Sequence, residues 1–140
     1  MIKLVARGII HQKGKYLLVR NKADKHWCLP GGGVEPNEPI AQAVERELVE
    51  ELGVRPLVGQ LLYVQQFDDN GTERVEFFFL VNNPEDYLEI DLNKTSHGEQ
   101  ELGEAGFYQL TDVPLLPKFL AKELPGLLKS YMPGNLPHFR

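Results

Sequence analysis

The chain has 140 residues, which fits one domain built around one hydrophobic core. Its formal net charge of −5 argues against a general nucleic-acid binder, because neutralising phosphates needs a surplus of Lys and Arg. Cys28 is the only cysteine, which excludes an intrachain disulfide and suits a reducing cytoplasm, and no run approaches the ~18 apolar residues of a membrane span.

The opening MIKLVARGII is interrupted by Lys3 and Arg7 and has no signal-peptide core, so the expectation is a cytoplasmic protein without a membrane partner. Residues 2 to 11 are rich in β-branched and aliphatic types, a Lys-Gly turn signal follows within Gln12 to Lys15, and Tyr16 to Arg20 is again extended. Together they read as a hairpin. Asn21 to His26 is a polar loop. WCLPGGGVEPNEP resists regular helix, and its three consecutive glycines let the backbone come close to another group. Pro39 suits the first turn of a helix over Ile40 to Leu52, and Gly53 stops it.

Leu57 to Phe67 reads as a strand and DDNG as a turn. Arg74 to Val81 (RVEFFFLV) is the strongest strand signal, and its near-continuous apolar run suggests a central position. Residues 82 to 105 read as loop and Ala105 to Leu110 as a last strand. Pro114 to Tyr131 has a helix-like apolar pattern that Pro125 should break or kink. Strands mixed with two helical segments give an α/β layered domain over residues 1 to 140. The apolar C-terminal segment could cover the core or a second copy, which leaves a homodimer open.

RELVEELG, residues 46 to 53, crowds Glu47, Glu50 and Glu51 onto adjacent helical turns. Like charges at that spacing repel by a few tenths of a kcal/mol per pair, so water, a basic partner or a metal ion must offset them. At ~100° per residue, Ala41, Val44, Leu48 and Leu52 form the core stripe. Glu47 and Glu51 project between that stripe and Ile40, and Glu50 lies just outside them. Acids that merely solvate a helix sit on its far side. Arg46 precedes Glu50 by one turn and can hold that carboxylate in place. Carboxylate oxygens suit Mg²⁺, which keeps open positions for phosphate oxygens.

From Gly32, five residues lead to Glu38 and seven more to Arg46-Glu47-Leu48; after one residue come Glu50-Glu51, and after one more Gly53-Val54. This matches GX5EX7REUXEEXGU, with U aliphatic, at every defined position, and the chain resembles the Nudix hydrolases. Trp27-Cys28-Leu29-Pro30-Gly31 also looks like the family's approach to its box. The resemblance implies an α/β/α sandwich around a mixed sheet. It implies hydrolysis of a nucleoside diphosphate linked to another group, with Mg²⁺ or Mn²⁺ as cofactor and a small-molecule nucleotide as substrate. By position, Glu47, Glu50 and Glu51 form the acidic metal shell, and the Gly32 carbonyl adds a backbone ligand. Arg46 orients a glutamate, Glu38 supports the loop, Gly53 closes the box, and Glu47 or Glu50 accepts the proton.

Relatives often draw one more acid from a loop outside the box. Glu99, Glu101 and Glu104 are candidates, with Glu101 favoured by its distance before Phe107. Asn37 stands where relatives commonly carry Gly, and Asn tolerates left-handed angles. ADP-ribose-type and dinucleotide-type relatives often carry a proline or a tyrosine shortly past the box. Neither occurs around Phe67 to Thr72, which leans toward nucleoside triphosphates or modified nucleotides. The competing readings are an ADP-ribose or nucleotide-sugar pyrophosphatase and a nucleotide-sensing module without turnover. Elsewhere, Trp27, Tyr63 and Phe67 are candidate pocket aromatics against a packing alternative. Arg20, Lys22 and Arg74 are candidate phosphate contacts against surface ion pairing.

Overall fold

The computed structural model describes residues 1–91 and 102–129, together with the backbone of a short strand at 138–139. Strand β1 (Ile2–Ile9) is followed by β2 (His11–Gln12), β3 (Lys15–Asn21) and β4 (Gly31–Gly33). Helix α1 (Ile40–Leu52) leads to the long hairpin of β5 (Val58–Asp69) and β6 (Thr72–Val81), then to a 3-10 turn at Pro84–Tyr87. After β7 (Leu102–Tyr108) come helix α2 (Leu120–Lys129) and β8 (His138–Phe139). A five-stranded mixed sheet has the order β4-β1-β6-β5-β8, and a three-stranded antiparallel sheet has the order β2-β3-β7.

β6 lies between β1, its parallel neighbour, and β5, its antiparallel one, as its apolar run suggests. Alternate residues of such a strand face opposite layers. Phe79 and Val81 pack with Val44, Leu48 and Leu52 of α1, while Phe78 packs with Leu120 and Leu124 of α2. The second sheet divides in the same way: Leu17 and Val19 join the α1 side, Tyr16 and Leu18 the α2 side. Helices on both faces of a mixed sheet make this an α/β/α sandwich.

Several sequence expectations shift. The first two extended segments do not form a plain hairpin: only His11–Gln12 turns back on β3, while β1 joins the other sheet. Gly8 N–H donates to the Pro30 carbonyl at 2.9 Å and Val34 N–H to Leu4 at 2.9 Å, so the glycine strand β4 occupies the edge beside β1. β7 begins at Leu102, three residues before the expected start, because pairing with β3 supplies the order that Gly103 and Glu104 do not advertise. Pro125 does not break α2. The helix begins only five residues earlier, and buried Leu120 and Leu124 hold that turn against the sheet. The DDNG turn is as read: Asp69 pairs with Thr72 across Asn70 (φ 51°) and Gly71 (φ 88°), the left-handed pair of a two-residue hairpin.

The closest backbone approach is at Gly31, where φ is 146°. A Cβ there would stand 2.1 Å from the Ala6 carbonyl oxygen and 2.7 Å from Arg7 Cα, so no side chain fits. Gly31→Ala should therefore prise β4 from β1 and lower stability by at least ~2 kcal/mol, read as a fall in the urea midpoint. An unchanged midpoint would mean that the β1–β4 contact does not hold the strand.

Candidate active site

Helix α1 runs against β1 and β4, and its buried arc is wider than the apolar stripe. Ala43, Val44, Leu48 and Leu52 are buried, and Glu51 is buried among them at 7% exposure. Ala41, expected on the core face, is exposed, and Ala43 takes its place. The arc thereby extends toward the side that carries Glu47. The carboxylates thus stand within the packed face rather than along its border.

Arg46 ties this helix to the loop before it. Its Nε donates to Glu38 Oε2 at 2.8 Å and its Nη2 to Glu38 Oε1 at 3.0 Å, the two-pronged arrangement that a guanidinium makes with a carboxylate. Nη2 also donates to the Gly33 carbonyl at 3.0 Å. Nη1 bridges Glu47 Oε1 and Glu50 Oε2, each at 3.1 Å. The expected bond to Glu50 is present, and the stronger anchor is Glu38. Glu38 in turn accepts the Glu35 N–H at 3.0 Å, fixing the turn in which Asn37 adopts φ 63°, the left-handed angle expected of it. The hydrogen bonds that Arg46 donates to Glu38 raise the Arg46 pKa above its ordinary value, and the same bonds lower that of Glu38. Gly53 caps the helix at φ 75°, its N–H donating to the Val49 carbonyl at 2.9 Å.

Glu47, Glu50 and Glu51 line one wall of a cavity of about 650 Å³, together with Gly31, Gly32 and Gly33. A Cβ on Gly32 would lie 2.6 Å from the Glu47 carboxylate carbon, so only glycine lets that carboxylate lie against the strand backbone. Among the described residues, no three Asp, Glu, His or Cys side chains converge closely enough to hold a metal ion, since Arg46 draws on Glu47 and Glu50. The donor chemistry nevertheless fits a hard divalent cation. Three carboxylates and the backbone of Gly32 meet on one wall, and all their donors are oxygen.

The same cavity is also lined by Lys3, Arg7, Lys22 and Arg74. Arg7 and Arg74 meet on Glu76, which is buried on the central strand at 2% exposure. Arg7 Nε donates to Glu76 Oε1 at 2.8 Å; Arg74 Nε and Nη2 donate to Oε2 at 3.2 and 3.0 Å. Burial alone would raise the Glu76 pKa, but Arg7 and then Arg74 outweigh it and hold the carboxyl below its ordinary value. Burial likewise pushes the Cys28 thiol up, so Cys28 is protonated at neutral pH.

The expected phosphate contacts divide. Lys22 and Arg74 reach the cavity, whereas Arg20 pairs with Glu104 at 3.0 Å and donates to the Asp24 carbonyl at 2.8 Å. Glu104 is thereby an ion-pair partner on β7. Glu99 and Glu101 lie outside the described residues. Trp27 is buried edge-on against Tyr108 at 4.9 Å, so it packs. Tyr63 is buried, its hydroxyl donating to Glu123 at 2.7 Å. Phe67 is half-buried beneath the Arg74 guanidinium at 5.9 Å. Sequence reasoning missed Lys3, Arg7 and Glu76. The signal was there: Arg7 interrupts an aliphatic strand, and Glu76 stands as the lone acid in RVEFFFLV.

A family model described as the NUDIX domain matches residues 2–130. The chain is a Nudix hydrolase. It is 35% identical to the CTP pyrophosphohydrolase of Escherichia coli K12 over 132 residues, covering 86% of this chain and 93% of that protein. It is 31% identical to the ADP-ribose pyrophosphatase of Methanocaldococcus jannaschii over 130 residues, covering 89% of this chain and 70% of that protein. The crystal structure of a MutT NUDIX hydrolase from Burkholderia pseudomallei superposes with a TM-score of 0.65 at 28% identity, covering 81% of this chain and 88% of that one. Among the described residues of this Nudix chain, no helix is long and apolar enough to cross a membrane.

The Arg46–Glu38 clamp has a signed pH dependence. Glu38 has a folded pKa below its ordinary 4.5, so its contribution is complete above that value and is lost as pH falls through the folded pKa. Glu38→Gln should lower the melting temperature at pH 7, and the gap from wild type should close as the pH drops below 4.5. Melting curves between pH 3 and pH 7 read this directly, and a gap independent of pH would contradict it.

Proposed function

We propose that this Nudix hydrolase cleaves the diphosphate linkage of a nucleoside triphosphate or modified nucleotide, using Mg²⁺ or Mn²⁺ held by Glu47, Glu50 and Glu51 with the Gly32 carbonyl. The observation that carries the reading is the shared wall: the three carboxylates of α1 and the glycine strand border the same cavity. A bound ion supplies Lewis acidity and neutralises charge on the diphosphate. Glu47 or Glu50 takes the proton from the attacking water. Arg46 keeps both side chains in place, and Glu38 keeps Arg46 in place. Burial of Glu51 limits its rotamer freedom and presents it as a fixed ligand. Glu101 is the proposed extra acid from outside the box. Residues 1 to 140 are read as one cytoplasmic domain acting on a small molecule.

The substrate preference is supported by the relative from Escherichia coli, which is named for CTP and matches over nearly its whole length. A second reading, an ADP-ribose-type pyrophosphatase, is favoured by the Methanocaldococcus jannaschii relative. A panel of (d)NTPs, ADP-ribose, nucleotide sugars and dinucleotides, resolved by chromatography with and without Mg²⁺, separates the two.

Glu51→Gln keeps the shape of the side chain and removes its charge. Turnover should fall at least ~100-fold if that ligand stabilises the transition state. A folded Glu51→Gln protein with wild-type turnover would refute the assignment. Gly32→Ala tests the same wall from the other side. The new Cβ collides with the Glu47 carboxylate, so kcat should fall at least ~10-fold while the melting temperature changes little, because a side-chain tip can move aside.

A further inference from the structure

The strand that carries Gly32 has no side chain by which a core could grip it. β4 is three glycines long and lies at the edge of its sheet, where β1 is its neighbour. Its backbone must therefore be fixed by the groups around it. At one end Arg46 does this from the helix, through Nη2 and the Gly33 carbonyl at 3.0 Å. At the other end stands a second guanidinium. Arg7 lies across from Gly31 in the β1–β4 ladder, and its Nη1 donates to the Leu29 carbonyl at 2.9 Å. The next residue along repeats the link, with Gly8 N–H donating to the Pro30 carbonyl at 2.9 Å. Gly32 thus lies between two carbonyls, those of Leu29 and Gly33, that arginines hold from different elements.

Arg7 is itself aimed by a buried carboxylate. Its Nε donates to Glu76 Oε1 at 2.8 Å, and the two side chains are 12% and 2% exposed. Desolvating such a pair costs several kcal/mol per ion, and apolar residues of similar volume are often equally stable or better. The sheet shows that apolar filling was available: Phe77, Phe78 and Phe79 follow Glu76 directly and pack into its two layers. Stability alone therefore does not account for the pair. What the pair adds is a direction for the Arg7 fork, from the central strand to the backbone that leads into β4.

That direction bears on the acidic helix as well. Arg7, Gly32 and Glu51 line one cavity, and Glu51 attracts Arg7 electrostatically. With Nε on Glu76 and Nη1 on Leu29, the guanidinium is engaged by the protein on two sides. This is the pattern of a group that orients the ligands of a site from behind.

We propose that Arg7, aimed by Glu76, is a positioning residue for the cation site: it fixes the backbone ahead of Gly32, so that the Gly32 carbonyl meets the α1 carboxylates in one place. This deepens the functional reading above and rests on it for the identity of the bound ion. The site then has two braces. Arg46 with Glu38 holds it from the helix, and Arg7 with Glu76 holds it from the mixed sheet.

Two readouts on the full chain test the second brace without turnover. The main variant joins Arg7→Met to Glu76→Leu. It leaves the net charge unchanged and fills the space with apolar groups, and Arg74 keeps its contact with Asp69. Its melting temperature should match or exceed that of wild type. In metal-free buffer, amide hydrogen exchange at Gly8 and Val34, whose N–H groups bond Pro30 and Leu4 on either side of Gly32, should quicken at least ~10-fold. Exchange at Leu48, in the middle of α1, should keep its rate. Mn²⁺ affinity by calorimetry should fall at least ~10-fold. Arg7→Lys should lower it in the same direction, because lysine keeps the charge and loses the fork. Arg55→Met, which removes an exposed cation paired with Glu45, serves as the control. Wild-type exchange at Gly8 and Val34, wild-type Mn²⁺ affinity in the folded double variant, or an equal loss in Arg55→Met would overturn the assignment. If wild type itself took up no Mn²⁺, the proposed function would fall, and the exchange rates would still decide the brace.

Discussion

The order of the acidic helix depends on one guanidinium. Glu47 and Glu50 repel each other on adjacent turns, and Arg46 offsets that repulsion from the same helix by pairing with both. Its grip on Glu38 and on the Gly33 carbonyl also fastens the loop and the glycine strand to α1. The clamp is partly shielded from water, with Arg46 at 23% and Glu38 at 14% side-chain exposure. Its geometry is the bidentate kind that holds best. Local repulsion is thereby converted into an ordered array along the cavity lining.

The sandwich explains why the site forms where it does. The mixed sheet is covered by α1 on one face and α2 on the other, and β4 closes its edge beside β1. The cavity is lined by that edge, the C-terminal half of α1 and β3 of the second sheet. Its walls therefore come from elements that the two cores hold rigidly, and the groups on them inherit that rigidity. Glu76 belongs to the same logic with the charges exchanged. It is fixed by the central strand and organises cations where Arg46 organises anions.

What was legible in the sequence was local chemistry. Helix α1 and its stop at Gly53, the Asn70-Gly71 turn and the central β6 could each be read because periodicity, capping and turn residues act within a few positions. The same holds for Arg46, Glu47, Glu50 and Glu51, whose spacing is the signal. What could not be read was long-range pairing. Nothing in Ile2–Ile9 says that its partner is Thr72–Val81 rather than the neighbouring Lys15–Asn21. The role of Arg7 was hidden for the same reason: its carboxylate partner lies 69 positions away. The long polar stretch after residue 82 masked the start of β7, because that strand takes its order from β3 rather than from its own composition.

The parallel ladder between β1 and β6 carries a consequence for biogenesis. Residues 2–9 leave the ribosome well before residues 73–80, yet they find their register against them. At ~5–20 residues per second of synthesis, the first strand therefore waits several seconds for a neighbour. Until then an aliphatic edge, half of a sheet, is open to any other extended chain. The charges at Lys3 and Arg7 interrupt that edge while it waits, so residues that later line the cavity beside α1 also act as gatekeepers against aggregation in the nascent chain.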